Sequence, residues 1–234
     1  VARSDPSALK HKGLTYFFLD MKTPGVEAKP IKQISGSANF NEVFFNDVRI
    51  PDSQRLGAEG DGWKVALTTL MNERLAVGDP PGLDFDQIFE ATKEIEVEDG
   101  LAIKNSEVRQ KMADWYVQSR GLQYTKYRSM TALSKGQTPG PELSISKLVT
   151  ASKMQEVSSY ALDLMDMAGY VHHDKNPVMR NLFQNGYFFS AAMRIAGGTD
   201  EVLRNIIAER VLGLPQDERP DKKVPFNELP SGKN

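Results

Sequence analysis

The chain has no cysteine among its 234 residues, almost no net charge and no long apolar run. Without cysteine it can form neither disulfide bonds nor thiolate metal sites, although this does not fix its compartment. Its 29 basic and 31 acidic residues leave a net charge of -2, which gives no electrostatic reason to expect nucleic acid as a partner. No segment is long and apolar enough to span a bilayer and no signal peptide is visible, so we expect a cytoplasmic protein without a membrane span.

The pattern of the chain changes near Pro51. Before it, short runs at 14–21, 26–34 and 41–50 carry aromatic and β-branched residues and are separated by Gly, Pro and Asn, which is typical of strands. Thr23-Pro24-Gly25 predicts a turn, because proline fixes one φ angle and glycine frees the next. The first fifty residues are therefore predicted to form β-structure.

After Gly62 the apolar residues recur at helical spacing and predict five helices. The helices are marked by Leu67, Leu70 and Met71; by Val108, Met112, Trp115 and Leu122; by Leu148, Val157, Ala161 and Leu164; by a start at Asn176-Pro177; and by a start at Thr199. We therefore expect an α+β fold with strands in 1–52, a helical domain in 53–214 and a poorly packed tail in 215–234.

The most informative segment is the stretch 194–215. Gly197 and Gly198 predict a tight turn, and Thr199 is a natural N-cap for the helix that follows. Asp200 and Glu201 place negative charge at the positive end of that helix dipole. Near the end of the segment, a glycine and then a proline predict that the helix stops there.

The wording of this segment closely resembles the terminal helix of acyl-CoA dehydrogenases: Gly-Gly-Thr-Asp-Glu-Val at 197–202, then Arg-Asn-Ile-Ile-Ala-Glu-Arg-Val-Leu-Gly-Leu-Pro at 204–215. Residues 40–51 resemble the end of that family's middle β-domain, and 60–66 resemble the entry to its C-terminal helical domain. Residues 1–6 and 23–26 match as well. The resemblance implies a partial β-barrel segment followed by a C-terminal up-down helical bundle, in the C-terminal portion of a longer polypeptide.

The resemblance also implies flavin-dependent α,β-dehydrogenation of an acyl-CoA thioester. A carboxylate removes the proton next to the thioester carbonyl, and hydride passes from the β-carbon to FAD. Electron-transfer flavoprotein is then the expected electron acceptor, and a homo- or hetero-oligomer is the expected assembly. An oxidase relative that passes electrons to oxygen stays open as an alternative.

Many family members carry the catalytic glutamate at the position of Gly197, which has no side chain here. Relatives that resemble isovaleryl-CoA and long-chain dehydrogenases place it instead on the first helix of the C-terminal domain, followed by arginine. This chain has Glu73-Arg74 at that place, so the resemblance makes Glu73 the candidate base and Arg74 a substrate-binding residue. The alternative is that both are ordinary solvated residues on a helix face.

By resemblance, Gly198, Thr199 and Glu201 contact the flavin, although Asp200 stands where the family has serine. The family's Trp-x-Thr segment, which covers the flavin ring, would lie before Val1. Its Arg-x-x-Phe-Gly motif, which reaches the flavin of a neighbouring subunit, is missing from the region between Ile95 and Val108. A flavin-poor or non-catalytic subunit of a hetero-oligomer therefore stays open as a second alternative.

Two further features of the sequence concern metal binding and assembly. The pair His172-His173 is more typical of a polar loop than of a metal site, so no metal is expected. The predicted helices are rich in aromatic residues, which suit either subunit interfaces or the bundle's own core. These are Trp115, Tyr116, Tyr124, Tyr127, Phe183, Tyr187, Phe188 and Phe189.

Overall fold

The computed structural model of the chain describes residues 1–76, 83–137, 141, 143–171 and 178–230. At 71–76, 178–180 and 220 it describes the backbone alone. The chain divides into two compact units. One comprises Val1–Pro80 with Asp217–Asn234, and the other comprises Pro81–Gln216.

The first unit holds five short strands and one helix among its described residues. They are β1 (Ala2–Arg3), β2 (Leu14–Phe17), β3 (Val26–Ile31), β4 (Phe40–Phe45), β5 (Arg55–Leu56) and α1 (Gly62–Ala76). Strands β1, β2 and β5 form an antiparallel sheet in that order, and β3 pairs with β4 in a separate hairpin. The α+β class is confirmed, and the described strands do not close a barrel.

The predicted strands are present but shorter than the runs of residues that predicted them. The second and third strands end at Phe17 and Ile31, three or four residues before the ends of the two runs. On the β3–β4 hairpin Phe40 and Phe45 are 55% and 60% exposed, so this hairpin has no cover among the described residues of its own unit. The face predicted for α1 is likewise uncovered, because Leu67 and Leu70 are 44% and 48% exposed.

The last described residues return to the first strands. The Lys10 ammonium lies 2.9 Å from a carboxylate oxygen of Asp221, and the guanidinium of Arg3 lies 3.9 Å from the centre of the Phe226 ring. Backbone contacts add to this, with the Asn227 amide donating to the carbonyl of residue 6. Charged and aromatic groups of 217–230 thus contact the start of the chain, although most of these residues are exposed. The predicted bounds of the tail, 215–234, stay a prediction.

The second unit is built from six described helices and a small hairpin. They are α2 (Phe85–Thr92), β6 (Glu96–Val97), β7 (Gly100–Leu101), α3 (Ser106–Ser134), α4 (Leu143–Leu164), α5 (Met167–Tyr170), α6 (Val178–Met193) and α7 (Asp200–Ile206). A π-helical turn, Ile207–Val211, continues α7. The predicted helices correspond to α1, α3, α4, α6 and α7, whereas α2, α5 and the β6–β7 hairpin were not predicted.

The core of this unit lies around α4, which packs against α3, α6 and α7. Trp115, Val157 and Phe183 are almost fully buried, so two of the aromatic residues weighed for interfaces fill the core instead. Gly186 on α6 allows the closest approach, because a Cβ there would lie 2.2 Å from a Leu83 methyl group. The other aromatic residues weighed for interfaces are half-buried or exposed: Tyr116, Tyr124, Tyr127, Tyr187, Phe188 and Phe189.

An ion pair between a buried lysine and a half-exposed aspartate ties three helices of this unit together. Lys153 on α4 is 3% exposed and donates to the carboxylate of Asp84 over 2.7 Å. The same carboxylate accepts from the Ser119 hydroxyl of α3 over 2.6 Å and caps the start of α2. The Asp84 carboxylate thus joins α2, α3 and α4. It also gives Lys153 a charged partner, without which burial of that lysine would be costly.

Candidate functional site

The glycine turn before α7 has the geometry that the sequence predicted. Gly197 and Gly198 have φ angles of 67° and 105°, a region that residues with a Cβ rarely adopt. The Thr199 hydroxyl accepts from the Val202 amide over 3.3 Å, which confirms Thr199 as the N-cap. Gly198, Thr199 and Glu201 therefore lie together at one helix start.

The Lys147 side chain of α4 forms a hydrogen bond to this turn. Its ammonium donates to the Gly198 carbonyl over 2.6 Å. Partial burial lowers the pKa of Lys147, and the nearby Arg194 guanidinium lowers it further, although Asp200 acts in the opposite direction. The turn therefore accepts a charge-assisted hydrogen bond from a helix fifty-one residues away in sequence.

A second tie crosses the turn between Arg194 and Asp200. Their side chains meet at 2.6 Å, and the Asp200 side chain is only 3% exposed. The same guanidinium donates to Gln155 of α4 over 2.7 Å, while the Asp200 amide donates to the Arg194 carbonyl. The other carboxylate oxygen of Asp200 is buried without a partner among the described residues. The aspartate that departs from the family's serine is thus a buried ion-pair partner rather than a solvated helix-end charge.

Glu201 differs from its neighbour by being exposed. Its own amide and the Thr199 hydroxyl hold the pKa of the Glu201 carboxyl below its usual value. The two carboxylates predicted at this helix start therefore differ in environment. Asp200 is buried and paired with Arg194, whereas Glu201 faces water.

Glu73 and Arg74 lie in the last turn of α1, in the first unit, at positions where the structure describes the backbone alone. The structure brings Gly198, Thr199 and Glu201 together, but the two residues of α1 belong to a different unit. The roles of Glu73 and Arg74 therefore stay predictions.

The region where the Arg-x-x-Phe-Gly motif is missing forms the β6–β7 hairpin and the start of α3. Three exposed carboxylates lie on the hairpin and its turn, at Glu96, Glu98 and Asp99. The side chain of Asn105 then caps α3 by accepting from two backbone amides. This segment presents negative charge where the family has a flavin-contacting arginine.

A groove of about 580 Å³ opens on the α3–α4–α6 face. Its lining mixes cations with carboxylates, namely Lys111 and Arg194 with Glu156 and Asp163. This mixture of charge does not single out one ligand. Of the two cations, Arg194 is already the ion-pair partner of Asp200.

Sequence reasoning missed Lys147, Gln155 and the pairing of Arg194 with Asp200. A signal existed for the last of these, because opposite charges flank a glycine turn six residues apart. No local pattern pointed to Lys147, whose partner is a main-chain carbonyl on a distant segment.

Within the described residues, no group of three or more His, Asp or Glu side chains is arranged to hold a metal ion. The His172-His173 pair lies outside them. In the same part of the chain, none of the helices combines the length and apolar character needed to cross a bilayer.

Comparison with known proteins identifies the family. Residues 60–212 match the family model described as "Acyl-CoA dehydrogenase, C-terminal domain". Acyl-CoA dehydrogenase IpdE1 of Mycolicibacterium smegmatis is 35% identical over 221 residues, which cover 93% of this chain and 53% of the relative. Acyl-CoA dehydrogenase FadE34 of Mycobacterium tuberculosis is 33% identical over 218 residues, covering 92% of this chain and 29% of the relative.

The chain thus spans about half the length of the first of these relatives and less than a third of the second. A solved structure described as "Tcur3481-Tcur3483 steroid ACAD" has the same fold, with a TM-score of 0.76 at 21% identity. The match covers 92% of this chain and 56% of that one. The chain belongs to the acyl-CoA dehydrogenase family.

Proposed function

We propose that the whole protein catalyses the flavin-dependent α,β-dehydrogenation of an acyl-CoA thioester, with FAD as its cofactor. The observation that carries this proposal is the family match over 60–212, joined by relatives that are named acyl-CoA dehydrogenases. Electron-transfer flavoprotein is the proposed electron acceptor.

Glu73 is the proposed base. The proton next to a thioester carbonyl is weakly acidic, so a carboxylate must lie close to it and the developing enolate oxygen must receive hydrogen bonds. Gly197 cannot supply that carboxylate, whereas α1 carries Glu73 followed by Arg74 at the family's other position for the base. Arg74 is proposed to help shape the acyl-CoA pocket.

The glycine turn suits the edge of a flavin. Nothing lies within 4 Å of the place that a Cβ of Gly197 would take, so the backbone is open to a ligand there. Gly198, Thr199 and Glu201 are the residues proposed to hold the flavin edge. When bound, FAD would accept the hydride that leaves the β-carbon of the substrate.

The β6–β7 hairpin does not suit the anionic half of FAD. Its exposed carboxylates would repel a pyrophosphate, and the arginine that the family places in this region is missing. This observation favours a second candidate function, in which the chain belongs to a hetero-oligomer and a different chain completes the shared flavin site.

The first experiment replaces the proposed base. In the whole protein, Glu73→Gln is expected to keep the fold and any bound flavin but to abolish bleaching of flavin absorbance by acyl-CoA under anaerobic conditions, because an amide cannot accept the proton. Glu59→Gln, an exposed glutamate of the same unit, is the matched control and should behave as wild type. Near-normal flavin reduction by Glu73→Gln would contradict the assignment.

The second experiment counts flavin. FAD per chain is measured for the purified protein alone and after mixing with candidate partner chains. One FAD per chain in the protein alone supports a self-sufficient dehydrogenase, and a flavin content that rises only with a second chain supports the hetero-oligomer. Oxygen consumption during turnover would instead indicate the oxidase alternative.

A further inference from the structure

We propose that Lys147 is a positioning residue that fixes the peptide group between Gly198 and Thr199 and thereby presents the Thr199 amide as an outward hydrogen-bond donor. The observation behind this is the 2.6 Å hydrogen bond from the Lys147 ammonium to the Gly198 carbonyl. No local sequence pattern predicts this bond, and the proposed chemistry does not require Lys147 for any proton or hydride.

The direction of the Thr199 amide follows from covalent geometry. The structure has no cis peptide among its described bonds, and in a trans peptide the C=O and N–H groups point in opposite directions. With the Gly198 carbonyl turned towards Lys147, the Thr199 N–H points away from it. That amide has no acceptor among the residues that the structure describes. An unused backbone donor held in one direction is a group available to a ligand.

The turn needs a hydrogen bond from outside because it consists of two glycines. Both residues of the turn adopt positive φ angles, and glycine has more backbone freedom than any other residue. A turn of two glycines is therefore entropically costly to hold in one conformation. Lys147 from α4 and the Arg194–Asp200 pair tie the turn on both sides.

The surrounding charges favour this arrangement. Asp200 lies close enough to Lys147 to raise its pKa, although burial and Arg194 lower it. The local group holds two cations and one carboxylate, so replacing Lys147 leaves the Arg194–Asp200 pair balanced. The change removes the tie to Gly198 without leaving a buried carboxylate unpaired.

The first test uses amide hydrogen exchange and needs no cofactor. The Asp200 and Val202 amides are hydrogen-bonded to the Arg194 carbonyl and the Thr199 hydroxyl, so their exchange reports opening of the turn. Lys147→Met should speed exchange at both amides by roughly tenfold relative to the rest of α4, and Lys147→Arg, which keeps a donor, should restore most of the protection.

Lys153→Met is the matched control, because Lys153 is a buried lysine of the same helix whose partner is Asp84. It should lower overall stability without a selective effect at the turn. If Lys147→Met leaves exchange at Asp200 and Val202 unchanged, or speeds exchange no more there than elsewhere in the unit, the positioning role is overturned.

The second test measures FAD binding and rests on the proposed function. If the whole protein binds FAD, Lys147→Met should weaken binding by roughly tenfold, as judged by flavin fluorescence, and Lys147→Arg should recover it. Equal FAD affinity of wild type and Lys147→Met would overturn the role towards the flavin. If the wild type binds no FAD but exchange responds as expected, the flavin proposal fails while the positioning role of Lys147 stands.

Discussion

Asp84 shows at the scale of one residue how a surface carboxylate can support a buried cation. Burial tends to raise its pKa, but hydrogen bonds from Lys153, Ser119 and the Phe85 amide outweigh this and hold the pKa of Asp84 below the usual 3.8. A carboxyl group with a lowered folded-state pKa contributes stability above its unfolded pKa. That contribution is lost as the pH falls through the folded value.

We therefore expect Asp84→Asn to lower the free energy of unfolding at neutral pH by roughly 1–2 kcal/mol. This is less than the loss of a partner costs in a fully buried ion pair, because Asp84 is half exposed. Asparagine still caps α2, so the loss reports the charge opposite Lys153. Urea denaturation from neutral pH to about pH 3 should show the difference from wild type shrinking as the pH falls. Asp86→Asn, on the same helix, is the control. A pH-independent difference for Asp84→Asn would contradict the interpretation.

Gly197 offers a residue-scale test of where the base belongs. Its positive φ would strain a side chain by about 1 kcal/mol, but nothing within 4 Å would obstruct the Cβ itself. In a Glu73→Gln background, Gly197→Glu is expected to restore part of the flavin reduction by acyl-CoA, because it supplies a carboxylate at the family's alternative position. Gly197→Gln in the same background is the control and should restore none. Equal activity of the two variants would count against a transferable base.

At the scale of one element, the start of α3 depends on a single side chain. Asn105 accepts from the Glu107 and Val108 amides over 2.9 Å and 3.3 Å. Asn105→Ala should lower the free energy of unfolding by about 1 kcal/mol, whereas Asn105→Asp should retain most of the cap. Thermal unfolding of the two variants side by side makes the comparison. A loss as large for aspartate as for alanine would indicate a role other than capping.

The elements show what periodicity can and cannot reveal. The α3 and α4 patterns predicted a buried face correctly, since Val108, Met112 and Val157 are in the core. The eight-residue helix α2 was missed because it is short and follows a proline-rich segment, although its Asp84–Gln87 capping box was readable. The hairpin at 96–101 was missed because each of its strands has two residues. Short elements carry too few repeats to show a period.

The candidate site divides in the same way. The glycine turn and the Thr199 cap were predictable because their geometry is set by neighbouring residues. The Lys147 hydrogen bond and the burial of Asp200 depend on how α4, α6 and α7 pack, which no local pattern encodes. The role of Glu73 came from family resemblance and stays a prediction.

At the scale of the whole molecule, the exposed side of α3 is a surface suited to association. Tyr124 and Tyr127 are 62% and 50% exposed, and Met130 and Leu133 continue the apolar surface. We expect the whole protein to form an oligomer through its C-terminal helices, because aromatic residues of this kind are enriched at interfaces. Tyr124→Glu with Tyr127→Glu should reduce the molar mass measured by light scattering. Gln118→Glu, an exposed position on the same helix, should not. A wild-type monomer would contradict the prediction.

The return of residues 217–230 to the first strands has a consequence for the order in which the chain folds. The Lys10–Asp221 contact joins positions 211 residues apart, and the whole second unit lies between them in sequence. On a ribosome, 83–216 emerge before the segment that completes the first unit. If the second unit folds as it emerges, it shortens the loop that this docking must close, whose entropic cost is otherwise of the order of 5 kcal/mol. Docking of 217–230 is thus expected to follow the folding of the second unit, and stalled nascent chains that end before Asp217 should remain protease-sensitive at their first strands.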